Sequence, residues 1–211
     1  MPIELKKPRT KERTKDTWQF PRDLIAEHDP MQELADWKFD AIYDAKYQIV
    51  RRKRRVNGIL EIGVRAGYSA YAMLSAKPHA QYLGLDAENG THGGQGGPWL
   101  PHAAKILERF QNVKLRRCDT QALSHLPRGK WDIIHVDGDH SQDGTLHDLA
   151  IGWAMLPLGG WLVIDDYLHV PSVGRAVDDF VGRIAKGRIV VRAVWAIPEK
   201  RVNIVMEKPL Y

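Results

Sequence analysis

Glu61-Ile62-Gly63-Val64-Arg65-Ala66-Gly67-Tyr68-Ser69 decides how the rest of the chain is read. An apolar run, Ile59 to Ile62, leads through it with a carboxylate near its end, and two glycines follow before the apolar spacing turns helical. A strand, turn and helix of this kind suits a ligand that lies against backbone. Glycine reaches positive φ without a Cβ clash and lets a ligand come close, and the amides at a helix start favour an anionic group such as a carboxylate. The spacing is not the G-x-G-x-x-G of dinucleotide enzymes, because Gly63 and Gly67 stand four apart and position 65 is arginine. By itself the turn is compatible with a nucleotide-like cofactor and with a plain tight connection.

Outward from this turn, short apolar runs alternate with helical stretches, the pattern of βαβ units around a covered parallel sheet. The runs predict strands at Ile59 to Ile62, Gln81 to Leu85, Val113 to Arg117, Trp131 to Val136 and Trp161 to Ile164. Between them the spacing predicts helices at Ser69 to Ala76, His102 to Phe110, Gln142 to Met155 and Ser172 to Ala185. Ile189 to Trp195 and Arg201 to Met206, joined through Pro198, read as an antiparallel hairpin. Ahead of the first strand, Leu34, Trp37, Ile42, Tyr43, Tyr47 and Val50 recur at helical intervals, so a leading helix from Met31 to about Arg54 has one apolar face. That face could pack on a neighbouring layer or serve a homodimer. The domain reading is a flexible basic arm at 1–17, a helical segment at 18–56 and one catalytic-sized domain at 57–211.

Bulk composition agrees with a single globular unit: hydrophobic residues make up 44% and charged residues 27% of 211, which leaves no case for a fibrous or wholly disordered chain. No apolar stretch approaches the roughly 20 residues of a membrane span, and Met1 to Lys15 is polar, so a cytoplasmic protein is expected. The single cysteine, Cys118, excludes an internal disulfide framework and reads as a small buried hydrophobe. Net charge is +5, concentrated in Lys6 to Lys15 and Arg51 to Arg55. Such clusters can hold phosphate-rich partners, which keeps nucleic acid as an alternative partner. The second cluster has a simpler reading, as cations complementing the negative end of a helix.

Acids stand at the ends of successive strands. Asp86 closes the second, where an acid can accept from both hydroxyls of a ribose. Asp119 follows the third and could receive an adenine amino group, although either acid could equally be a cap. Asp137 ends the fourth strand, and Asp165 with Asp166 ends the fifth, so adjacent parallel strands bring three carboxylates to one edge. Carboxylates so close repel one another, and a cation resolves the conflict. Hard oxygen ligands suit magnesium, calcium or manganese, and magnesium best tolerates a few carboxylates with water or substrate in the remaining positions.

The succession Leu60-Glu61-Ile62-Gly63 to Ser69, Gly84-Leu85-Asp86, Cys118-Asp119, Trp131 to Ser141 and Gly159-Gly160-Trp161-Leu162-Val163-Ile164-Asp165-Asp166-Tyr167 resembles the class I methyltransferases, over roughly Asn57 to Glu207. Within them, Asp137-Gly138-Asp139-His140-Ser141 with Asp165-Asp166-Tyr167 is similar to macrocin O-methyltransferase-like enzymes, which include magnesium-dependent methyltransferases of sugar hydroxyls. The resemblance implies a Rossmann-like, doubly wound α/β sheet of seven strands, mostly parallel with one antiparallel strand, helices on both faces and an extra N-terminal helix. It implies S-adenosylmethionine as cofactor, held by Glu61, Gly63, Gly67, Tyr68, Ser69, Asp86, Asp119 and Asp137. A divalent ion, Mg2+ or another, would sit on Asp137, Asp165 and Asp166.

The expected reaction is methyl transfer to the hydroxyl of a small-molecule acceptor, with Asp139 or His140 taking the proton; the resemblance favours Asp139. His140 stands where catechol-type relatives carry lysine, which puts a catechol acceptor in doubt. Glycine-rich Gly90 to Gly97 is a lid or a plain loop, with Trp99 and His169 as further pocket candidates. Alternatives keep the cofactor but methylate nitrogen or carbon, cyclise the substrate, or act on RNA.

Overall fold

The computed structural model describes residues 17–21, 23–24, 37–90, 96–185, 190–196 and 201–210. Nearly all of the expected basic arm, the leading helix before Trp37, most of the glycine-rich loop, Ile189 and the Pro198 connection lie outside these residues.

In chain order the elements are α1 (Trp37–Arg52), β1 (Gly58–Ile62), α2 (Tyr68–Ala76), β2 (Gln81–Asp86), α3 (Leu100–Leu107), β3 (Val113–Arg117), β4 (Ile133–Val136), α4 (Gln142–Met155), β5 (Trp161–Ile164), α5 (Pro171–Phe180), β6 (Val190–Ala196) and β7 (Arg201–Glu207). A 3-10 turn, Thr120–Ala122, follows β3, and a π-helical turn, Val181–Ala185, follows α5 where an unbroken α-helix was expected. The strands hydrogen-bond in the order β3-β2-β1-β4-β5-β7-β6. Pairs among β1 to β5 are parallel, and β7 runs antiparallel to both β5 and β6. The order reverses between β1 and β4, so the crevice of this doubly wound sheet opens at their carboxyl ends.

Alternation along the strands builds a core on each face. Ile59, Tyr82, Ile133, Val163 and Val205 bury with residues of α1, α2 and α3. Their neighbours Leu60, Ile134, Leu162, Ile164, Ile204 and Met206 bury with α4 and α5. Each such aliphatic side chain contributes about 1.5–3 kcal/mol of transfer free energy, and a one-residue slip would forfeit both cores at once.

Helix α1 uses its apolar face within the chain. Tyr43, Ile49 and Val50 bury in the same cluster as Tyr68, Tyr71 and Leu74 of α2, and the Tyr43 and Tyr68 rings meet edge to face at 5.9 Å. Trp18 stacks on Tyr47 at 5.4 Å and so joins the same layer. The basic run closing α1 is mostly solvated, and Lys53 folds back to donate to the Gly159 carbonyl at 2.6 Å with its ammonium 4.8 Å from the Trp161 ring. Among the described residues no helix is long and apolar enough to cross a membrane.

Candidate active site

A cavity of about 440 Å3 opens where β1, β2, β4 and β5 end. Gly63, at φ +84°, passes so close to β4 that a Cβ would fall 2.0 Å from the Asp137 carbonyl oxygen. Gly67, at φ +87°, starts α2, and the turn between them leaves the Val64 and Arg65 amides pointing at β2. Both amides donate to Asp86 Oδ2, at 2.9 and 2.8 Å, and the Glu88 amide donates to Oδ1 at 2.8 Å. Asp86 lines the cavity, but its first task is to lock the glycine turn. A carboxylate has about four lone-pair sites, so capacity for a ligand hydroxyl remains.

Glu61 lies elsewhere than the sequence suggests. It is fully buried and does not line the cavity. Oε1 accepts from the Ser69 hydroxyl at 2.5 Å and from His135 Nδ1 at 2.8 Å, and the Tyr82 hydroxyl donates to Oε2. Burial, reinforced by Glu61, pushes the Tyr82 phenol well above its ordinary value, which keeps it a donor. Glu61 is therefore a strut beneath the glycine turn, and any contact with a molecule in the cavity would be indirect, through Ser69. Sequence reading missed its partners, although strand parity carries the signal: Glu61 registers with His135, and Tyr82 is two residues from its other neighbour, Gly84, on the same face.

The acids after β4 and β5 do converge, because Val136 registers with Ile164 and puts the two strand ends side by side. Asp166 holds a left-handed backbone, φ +56°, uncommon for a residue other than glycine. Single ligand atoms of Asp137, His140 and Asp166 lie within 4.8 Å of one another, and so do those of His135, Asp137 and Asp165. His140 Nε2 is 3.6 Å from Asp137 Oδ1 and 3.9 Å from Asp166 Oδ2. The bond to Asp137 raises the His140 pKa, against burial that would lower it. Burial alone would raise Asp137, but His140, Lys46 and His135 together outweigh it and hold this carboxyl well below the usual range.

Lys46 was not among the expected site residues. It projects from α1, is almost fully buried, lines the cavity and forms an ion pair with Asp165 Oδ2. Burial disfavours its charge, yet Asp165, Asp137 and Asp166 overcome this and raise its pKa. The other Asp165 oxygen accepts the Asp166 amide at 3.0 Å. The repulsion that argued for a divalent ion is thus answered by an ammonium of the chain. Lys46 Nζ sits on Asp165 Oδ2 with almost no solvent access, so its charge and its position together oppose a divalent ion on the set Asp137, Asp165 and Asp166 while Lys46 is in place. The sequence held only a weak signal, a lysine among the apolar positions of α1.

Asp139 turns toward the start of α4, where Oδ1 accepts the Ser141 amide at 2.7 Å. Ser141 caps that helix by accepting from the Gly144 amide at 3.0 Å. Of the two candidate bases, His140 faces the acid cluster and Asp139 serves the helix start, although both touch the cavity. Ser172 holds the loop by donating to the His140 carbonyl at 2.5 Å. Asp119 lines the far side, with Oδ1 accepting the Gln121 amide at 3.0 Å, and Tyr68, Trp99 and His169 also border the space. Cys118 is half-buried, bordering the cavity while packing against the core on the α4 and α5 face.

Residues 60–167, about half the chain, match the family described as a methyltransferase domain. The chain belongs to that family. Its domain is an S-adenosylmethionine-dependent methyltransferase domain, and the glycine turn, Asp86 and Asp119 border the cavity. An uncharacterized protein, R132, of Acanthamoeba polyphaga mimivirus is 28% identical over 138 residues, and the alignment covers 61% of each chain. The chain thus spans under two thirds of that curated relative. The methyltransferase PaMTH1 of Podospora anserina, solved with S-adenosylhomocysteine, superposes with a TM-score of 0.64 at 20% identity, over 92% of this chain and 91% of the other. TomG of Streptomyces achromogenes, an O-methyltransferase solved with S-adenosylmethionine, gives a TM-score of 0.57 at 17% identity over 77% and 78%. At these identities the likeness is one of fold.

Proposed function

We propose that the protein transfers the methyl group of S-adenosylmethionine to a hydroxyl oxygen of a small-molecule acceptor. One observation carries this reading: the glycine turn with Asp86 and the cluster of Asp137, His140 and Asp166 border a single cavity of about 440 Å3, a size that suits a cofactor tail and a small acceptor. His140 is the base. Its Nε2 takes the hydroxyl proton as the oxygen forms a bond to the methyl carbon, the carbon–sulfur bond breaks, and S-adenosylhomocysteine leaves. Asp137 and Asp166 orient the imidazole and stabilise the imidazolium that forms. Oxygen as the methylated atom is supported by the likeness to TomG, an O-methyltransferase of tomaymycin synthesis, and by the resemblance of the Asp165-Asp166-Tyr167 segment to sugar O-methyltransferases.

Calorimetric titration with S-adenosylhomocysteine, followed by transfer of labelled methyl to a panel of sugar and phenol hydroxyls, tests the reading. Micromolar binding and label in an ether are expected. No binding up to millimolar concentration overturns it, and label on nitrogen or carbon overturns the choice of oxygen.

A further inference from the structure

Lys46 is a cation that the sequence pattern of strand-end acids does not announce. It arrives from α1, before the first strand and outside residues 60–167 that match the methyltransferase family. Its stem runs through the aromatic layer, with the ammonium 5.9 Å from the Tyr43 ring, and its tip enters the acid cluster. Near the cluster stands a second unusual group. His135 is fully buried, gives Nδ1 to Glu61 and has no hydrogen-bond partner at Nε2, and a ring nitrogen of this residue lies within 4.8 Å of ligand oxygens of Asp137 and Asp165. An imidazole that donates Nδ1–H to Glu61 and carries no second proton would offer its Nε2 lone pair to a ligand.

We infer that Lys46 is a resident cation that occupies the place a divalent ion would take among His135, Asp137 and Asp165, so that this methyltransferase holds its acceptor site together without a bound metal. The chemistry of the donor set supports this. Two carboxylate oxygens and an imidazole nitrogen, backed by a carboxylate behind the histidine, form a set that ligates divalent ions well when nothing else neutralises it. Here an ammonium held by Asp165 and attracted by Asp137 and Asp166 does so, with nearly complete burial and three donors that need no open coordination position. Lys46 acts through Asp165 and the charge of the cluster, as a positioning residue. The inference rests on the reading of this cavity as the methyl-transfer site.

Removing the ammonium should uncover the latent metal site. Mn2+ titration followed by electron paramagnetic resonance is expected to give no binding tighter than millimolar for the wild type, and a gain of tenfold or more for Lys46→Met. Lys46→Arg keeps the charge and should stay as metal-blind as the wild type, which a merely structural role for the side chain would not require. If Lys46→Met is unstable, 1 mM Mn2+ should raise its Tm while leaving that of the wild type unchanged. Binding of S-adenosylhomocysteine to the wild type should be the same with and without a chelator. Micromolar Mn2+ binding by the wild type, or equal Mn2+ affinity in wild type and Lys46→Met, overturns the inference. Loss of S-adenosylhomocysteine binding under all conditions would instead sink the functional reading, so the two failures are distinguishable.

Discussion

Asp148→Asn should make stability less sensitive to pH, by an amount that the structure sets. Asp148 sits on α4 beneath the 137–140 loop and is fully buried. Oδ1 accepts from Gln121 Nε2 at 3.1 Å, Oδ2 makes no hydrogen bond, and a Cβ on Gly138 would come within 3.1 Å of Oδ2. Burial pushes the carboxyl from its ordinary 3.8 up to about 6. A group whose pKa rises on folding binds its proton more tightly in the folded state. Its contribution is therefore complete below the unfolded value and is lost as pH climbs to the folded one. The full span, a shift of roughly 2 units, corresponds to about 3 kcal/mol, of which about 1.4 kcal/mol falls between pH 5 and pH 8. Asparagine has nearly the same volume, can still accept from Gln121, and carries no charge at any of these values.

The assay is urea denaturation of both proteins at intervals from pH 4 to pH 8, scored as variant minus wild type. Other titrating groups largely cancel in that difference, including Asp137, whose lowered pKa favours the folded state above the unfolded value and withdraws that support as pH falls. The difference should move in favour of the variant as pH rises, mostly between pH 4 and pH 6, and level off above. A difference that does not change with pH, or that moves the other way, refutes the claim that a buried carboxylate is forced to ionise there.

Other perturbations probe the site itself. His140→Ala should lower turnover by about 10²–10⁴-fold while leaving calorimetric S-adenosylhomocysteine affinity within a few-fold, since a base acts on the acceptor and not on the cofactor. Gly63→Ala meets both a left-handed φ and the Asp137 carbonyl, so thermal or urea unfolding should show a loss of about 3 kcal/mol or more, with weaker cofactor binding. Glu61→Gln places an amide donor among the Ser69, Tyr82 and His135 donors, and should cost about 2–3 kcal/mol of stability by the same measurement, with cofactor affinity falling through the displaced turn.

Much of the fold is legible in the chain. The alternation of β1, β4 and β5, the glycines of the first turn, and Ser141 ahead of α4 are local signals, and each element appears within a few residues of where spacing puts it. The site is legible in outline, because parallel strands in register deliver their terminal acids to one edge. Partners are not. Asp86 and Glu61 are both acids beside the cofactor motif, yet one is filled by the Val64 and Arg65 amides at the cavity wall and the other lies buried on Ser69, Tyr82 and His135.

The order of residues by itself determined which carboxylates meet, since that follows from strand periodicity and from the reversal of strand order beside β1. Only the tertiary structure decided what neutralises them. Lys46 lies 119 positions before Asp165 and reaches it because the apolar face of α1 lands on α2, an outcome of packing that no local pattern encodes. Charge balance depends on distance through space, and distance along the chain carries no information about it once helices fold back over a sheet.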